Sequence, residues 1–68
     1  MKLTINGSER EVSPPANLAD LLDALGLPSD RPGTAVARNG EVVPRSRWRE
    51  TAVAEGDKLE IISAVQGG

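Results

Sequence analysis

The residues of this 68-residue chain best suited to chemistry are the last five, Ala64-Val65-Gln66-Gly67-Gly68, which carry a strand-like run out into a bare diglycine and the carboxylate of Gly68. Glycines have no Cβ, so Gly67 and Gly68 fit a channel too narrow for any side chain and leave the terminal carbonyl open to attack. Gly68 is the candidate reactive residue and Gly67 supplies the clearance. A Gly-Gly end is also what an ordinary frayed terminus looks like, so the rest of the chain must weigh between the two.

The composition removes most other chemistry. There are no cysteines and no histidines, which excludes disulfides, thiolate metal sites, a cysteine nucleophile and an imidazole base. Asp20 and Asp23 read as first-turn and solvent-face residues of a helix, and the other acids alternate with strand positions. So small a domain encloses little cleft, and neither an active site of its own nor a bound metal is expected. The expectation is a protein acted on by partner enzymes, not an enzyme.

Eight Lys and Arg stand against ten Asp and Glu, a near balance that gives no broad footprint for a polyanion. Arg38, Arg45, Arg47 and Arg49 crowd one stretch, but Glu41 and Glu50 interleave and Trp48 is the only aromatic. The cluster reads as a solvated loop, with no nucleic-acid role expected and partner docking left open. No apolar run is long enough to span a bilayer, and Met1-Lys2-Leu3-Thr4 leads straight into a strand pattern. A cytoplasmic protein with no membrane contact is expected.

The elements that must position the tail follow from period and punctuation. Lys2-Leu3-Thr4-Ile5 alternates with period two, Asn6-Gly7 suits a tight hairpin turn, and Glu9 to Ser13 returns antiparallel until Pro14-Pro15 ends the ladder. Leu18, Leu21, Leu22 and Leu25 fall on one helical stripe. Asn17 caps this helix, Asp20 sits in its first turn, Gly26 stops it in the left-handed conformation with Leu27 folded back on Leu22, and Pro28 prevents resumption. Ser29 to Gly33 reads as a loop. Thr34 to Arg38 forms a second hairpin with Glu41-Val42-Val43 around Asn39-Gly40. Arg45 to Arg49 makes a turn that tucks Trp48 in as packing. Val53 continues the apolar series, and Glu55-Gly56-Asp57 turns into the last strand, Lys58 to Ala64.

In that strand Leu59 and Ile61 share the helix-facing side, while Glu60, Ile62 and Ala64 share the other. Ile62, Ala64 and Val65, followed by Gln66, form an apolar strip leading to the tail, a candidate docking site for a partner. The order of elements specifies an α+β domain with one main helix packed across a mixed β-sheet, a β-grasp arrangement. Residues 1–64 form the domain and 65–68 a flexible tail.

The chain resembles the ThiS family, the small sulfur carriers of thiamine biosynthesis, which implies a ubiquitin-like β-grasp fold. The resemblance rests on Ala37-Arg38-Asn39-Gly40-Glu41-Val42-Val43-Pro44-Arg45-Ser46-Arg47-Trp48, then Glu55 to Ile62, then Val65-Gln66-Gly67-Gly68. It implies that an E1-like (ThiF-like) adenylyltransferase uses ATP to activate the Gly68 carboxylate, the carrier itself binding no cofactor. A persulfide donor such as a cysteine desulfurase then supplies sulfur, and a ThiG-like thiazole synthase accepts it from the thiocarboxylate. One departure is Arg38, where the family would carry an apolar residue. It leaves open which face of the Thr34 to Arg38 strand is buried.

Three rivals share features with this reading. The small subunit of molybdopterin synthase resembles the chain in fold and diglycine, but is longer and richer in Phe. A ubiquitin-like modifier would pass the same activated end to a lysine. A β-grasp RNA-binding module would use the arginines, weaken with salt, and survive loss of the diglycine.

Overall fold

A computed structural model describes residues 1–27, 29 and 32–63. Its elements in chain order are β1 (Lys2–Ile5), β2 (Ser8–Glu11), α1 (Leu18–Ala24), β3 (Thr34–Arg38), β4 (Glu41–Val43), a 3-10 helix (Arg45–Glu50) and β5 (Lys58–Ser63). The sheet order is β2-β1-β5-β3-β4. β5 lies at the centre, parallel to β1 and antiparallel to β3, and the two outer pairs are antiparallel hairpins. One helix across this mixed sheet is the ubiquitin-like β-grasp, as expected.

Both Asn-Gly pairs turn as their types dictate. Asn6 and Asn39 each take φ of 51°, and Gly7 and Gly40 take 83° and 87°. Two successive positive φ values match the twist of the flanking strands. The first turn closes directly on the Ile5–Ser8 pair, so β2 begins one residue before the expected Glu9. As a strand it ends at Glu11 rather than Ser13, although Met1 and Val12 continue the pairing: Val12 N–H donates to the Met1 carbonyl at 2.8 Å and the Met1 amine to the Val12 carbonyl at 2.9 Å.

α1 is bounded as its sequence requires. The Asn17 side chain accepts the Asp20 backbone N–H at 2.9 Å, satisfying a donor that the first turn leaves without a partner. At the other end Gly26 takes φ of 81°, Leu27 N–H donates to the Leu22 carbonyl at 2.9 Å, and Gly26 N–H to that of Asp23 at 3.0 Å. This pair of bonds is the Schellman stop. Asp23 does more than face solvent: its carboxylate accepts the Ser29 N–H at 2.8 Å and stands 3.4 Å from the Ser29 hydroxyl, tying the following loop back to the helix.

Leu18, Leu21 and Leu22 of α1 are fully buried against Leu3 and Ile5 of β1, Val36 of β3 and Leu59 and Ile61 of β5, with Trp48 and Val53 completing the core. The expected turn over Arg45 to Arg49 is a full 3-10 helix that seats Trp48. The indole donates to the Val43 carbonyl at 2.9 Å, so its one polar atom has a partner inside the core.

The buried face of β3 is the one carrying Val36, and Arg38 lies two residues along the same face. It is accommodated because its Nε donates to Asp57 Oδ2 at 2.7 Å at the margin of the core. Asp57 also accepts from Asn39 Nδ2 at 3.1 Å and from the Ala54 N–H at 2.8 Å. Burial by itself raises the Asp57 pKa, but the bonds from Ala54, Arg38 and Asn39 together outweigh it and hold the carboxyl below its usual range. A depressed folded pKa stabilises the fold above the unfolded carboxylate pKa and is lost as pH falls through the folded value. The thermal midpoint is therefore expected to fall on acidification below the ordinary carboxylate range. Asp57→Asn should lower it at neutral pH and flatten that acid limb. A pH series of melting curves for both proteins checks this, and parallel acid limbs would contradict it.

Candidate functional site: the central strand and the two surfaces beside it

β5 is the last described element before the diglycine in the sequence, so its fixation sets where residues 64–68 begin. Its pairing with β1 ends early, because β1 turns away at Asn6. The Asn6 side chain takes over: Oδ1 accepts the Ile61 N–H at 2.8 Å and Nδ2 donates to the Ile61 carbonyl at 3.1 Å. One amide thus substitutes for a missing strand residue. On the other edge Asn39 Oδ1 accepts the Lys58 N–H at 2.9 Å, and Asn39 N–H donates to the Lys58 carbonyl at 2.7 Å. Sequence reading assigned both asparagines only to turns. Each meets β5 far along the chain, and only the habit of Asn to mimic backbone hints at it.

Of the expected site residues, Ile62 is described and lies where its period placed it, on the sheet face away from α1. Ala64, Val65, Gln66, Gly67 and Gly68 lie outside the described residues. Val42 and Ile62, 75% and 69% exposed, are the exposed large hydrophobics among the described residues. Pairing of Ile62 with Ala35, of Glu60 with Ala37, and of Ala37 with Val42 puts them on one surface. Ala35, Ala37, Val42 and Ile62, with Glu60 at the margin, line a shallow depression of about 190 Å³. Ile62, the one described member of the expected strip, therefore lies in a patch that runs across β3 to β4.

A second surface lies on the other side of the molecule. Ala19, Ser29, Arg45, Ser46, Trp48, Arg49 and Glu50 line an open groove of about 830 Å³ between α1 and the 3-10 helix. The arginine run does not act as one patch: Arg38 is drawn away to Asp57, and Arg45 donates through Nε to the Ser29 carbonyl at 3.2 Å. Among the described residues no group of His, Cys, Asp and Glu could hold a metal ion, and no helix is long and apolar enough to cross a membrane.

The family model described as ThiS family matches residues 3–68. The chain belongs to the ThiS family. It is 26% identical to the sulfur carrier protein ThiS of Escherichia coli (strain K12), over the whole of both chains. A crystal structure of a thiamine biosynthesis protein (ThiS) from Geobacter metallireducens, 34% identical and aligned over the whole of both chains, superposes with a TM-score of 0.81. The chain is also 47% identical over its full length to part of a thiazole synthase from Paramagnetospirillum magneticum, of which it spans only 20%. Membership places it among the sulfur carriers of thiamine biosynthesis.

Proposed function

We propose that the chain carries sulfur as a thiocarboxylate on Gly68 and delivers it for thiazole formation. The observation that carries this reading is that the ThiS family match runs through the diglycine to residue 68. In the proposed sequence the Gly68 carboxylate attacks the α-phosphorus of ATP in a partner adenylyltransferase, releasing pyrophosphate and forming an acyl adenylate. The terminal sulfur of a persulfide on a donor protein then displaces AMP. A second partner thiol cleaves the resulting S–S bond, leaving a disulfide on the partners and a thiocarboxylate on Gly68. Adenylation is needed because a carboxylate is a poor acyl donor, and AMP provides the leaving group. The likeness to part of a thiazole synthase supports that enzyme class as the sulfur acceptor.

In this reading the patch around Ile62 docks the partner while the tail enters its channel, since an apolar surface on the strand leading to Gly68 aligns both at once. The test is the intact mass of the protein after incubation with its adenylyltransferase, ATP and a sulfur donor. Replacement of one terminal oxygen by sulfur at Gly68 is expected, and an unchanged mass with active partners would sink the reading. In the same system Ile62→Asp is expected to weaken binding to the adenylyltransferase about tenfold. Its melting temperature should stay within about 3 °C, because the side chain is exposed. Calorimetric binding constants of equal size for both proteins would remove the patch from the mechanism.

A further inference from the structure

The groove between α1 and the 3-10 helix is not used by the carrier reading, yet it has features of a prepared anionic contact. Asp23 holds Ser29, and the Ser29 carbonyl holds Arg45 Nε, so the guanidinium stem is fixed while its terminal nitrogens make no bond to described residues. Arg49 lines the same groove and makes no ion pair among the described residues, whose two ion pairs are Met1–Glu11 and Arg38–Asp57. Ser46 adds a hydroxyl, and Glu50 is the one opposing charge among the described lining residues. A pre-oriented guanidinium loses less freedom on meeting a carboxylate than a free one does.

The position of the groove says what meets it. Register pairs Thr34 with Ser63 at one end of the sheet, and Val36 with Val43 two residues in. Chain direction then brings β4, through Pro44, to Arg45 at that same end. The groove therefore lies at the same end of the sheet as Ser63, the last described residue before Gly68 in the sequence. The whole chain is net acidic at −2, whereas the described lining of the groove carries two arginines against one glutamate.

We propose that the Arg45–Arg49 groove receives an acidic segment of the enzyme that takes up the tail, an electrostatic contact separate from the apolar patch on the opposite face. This rests on the carrier reading for the identity of the enzyme, but not for the chemistry of the groove. Charge at the margin of an interface acts mainly on encounter and on salt dependence. Arg49→Glu and Arg45→Gln are thus expected to raise the KM for loading about tenfold with kcat within about twofold. Arg49→Lys should stay near the parent, and Arg49→Glu should flatten the rise of KM with salt. Because the Arg49 side chain makes no hydrogen bond or ion pair to described residues, its variants test the groove without disturbing the Arg45–Ser29 bond.

A direct probe keeps the outcome separate from the fate of the carrier reading. Trp48 borders the groove and is the only tryptophan, so titration with an octaglutamate peptide should shift its indole N–H resonance in a saturable, salt-sensitive way that Arg49→Glu abolishes. Unchanged KM in both groove variants overturns the proposal. If the unmodified protein fails to load, the carrier reading falls and the peptide decides the groove, with no shift at millimolar peptide overturning it. Tighter binding of single-stranded RNA than of octaglutamate would overturn it in favour of a nucleic-acid site.

Discussion

Deletion of Gly68 is expected to cut sulfur loading by about 100-fold or more while the domain melts as before. The truncated chain still ends in a glycine carboxylate, so the chemistry is nominally retained and only position changes. Removing one residue withdraws the reacting carbon by roughly 3.5 Å. In a site that needs reacting atoms in near contact, a displacement of even about 1 Å costs on the order of 100-fold. The buried core lies between Leu3 and Ile61, so every described core contact survives the deletion. Intact mass after loading, alongside a melting curve, reads both halves. Normal loading would show that the terminal residue is not the carrier of sulfur.

The second large effect falls on the fold. Trp48→Ala is expected to destabilise the domain by about 3–5 kcal/mol, against a total of roughly 3–10 kcal/mol for a chain of this length. Trp48 is 2% exposed and is the sole aromatic in the core, so no neighbour has the bulk to fill the space. Its removal also takes away the donor to the Val43 carbonyl. Trp48→Phe keeps much of the volume and loses that hydrogen bond, and should cost clearly less. Urea unfolding followed by far-ultraviolet circular dichroism measures both variants, since neither retains tryptophan fluorescence. Equal midpoints for Trp48→Ala and the parent would mean that the 3-10 helix is not part of the cooperative unit.

What could be read from the sequence was local. The two Asn-Gly turns, the Asn17 cap, the Gly26 stop and the leucine stripe each depend on residues a few positions apart, and each stands as expected. The alternation that separates Ile61 from Ile62 also needs no knowledge of the fold. What escaped depends on the sheet closing. Asn6 reaches Ile61 across 55 positions and Asp57 reaches Arg38 across 19, and no periodicity encodes either meeting. The same holds for the patch: Ile62 was visible as an exposed aliphatic, but Val42 joins it only through the β5-β3-β4 register. The basic groove was hidden for the opposite reason. Adjacent arginines look like one cluster until Arg38 is seen to be occupied elsewhere.

The parallel pairing of β1 with β5 also sets how the molecule bears a pull. In the proposed carrier reading a partner's channel draws on the end of the chain, and tension then enters along β5, parallel to the strand and perpendicular to the hydrogen bonds that fix it on both edges. The load is shared by those bonds together, with the Asn6 and Asn39 amides among them, instead of peeling them open one at a time. The strand that precedes residues 64–68 is thus a tow point, and a pull applied beyond it is borne with the domain still folded behind it.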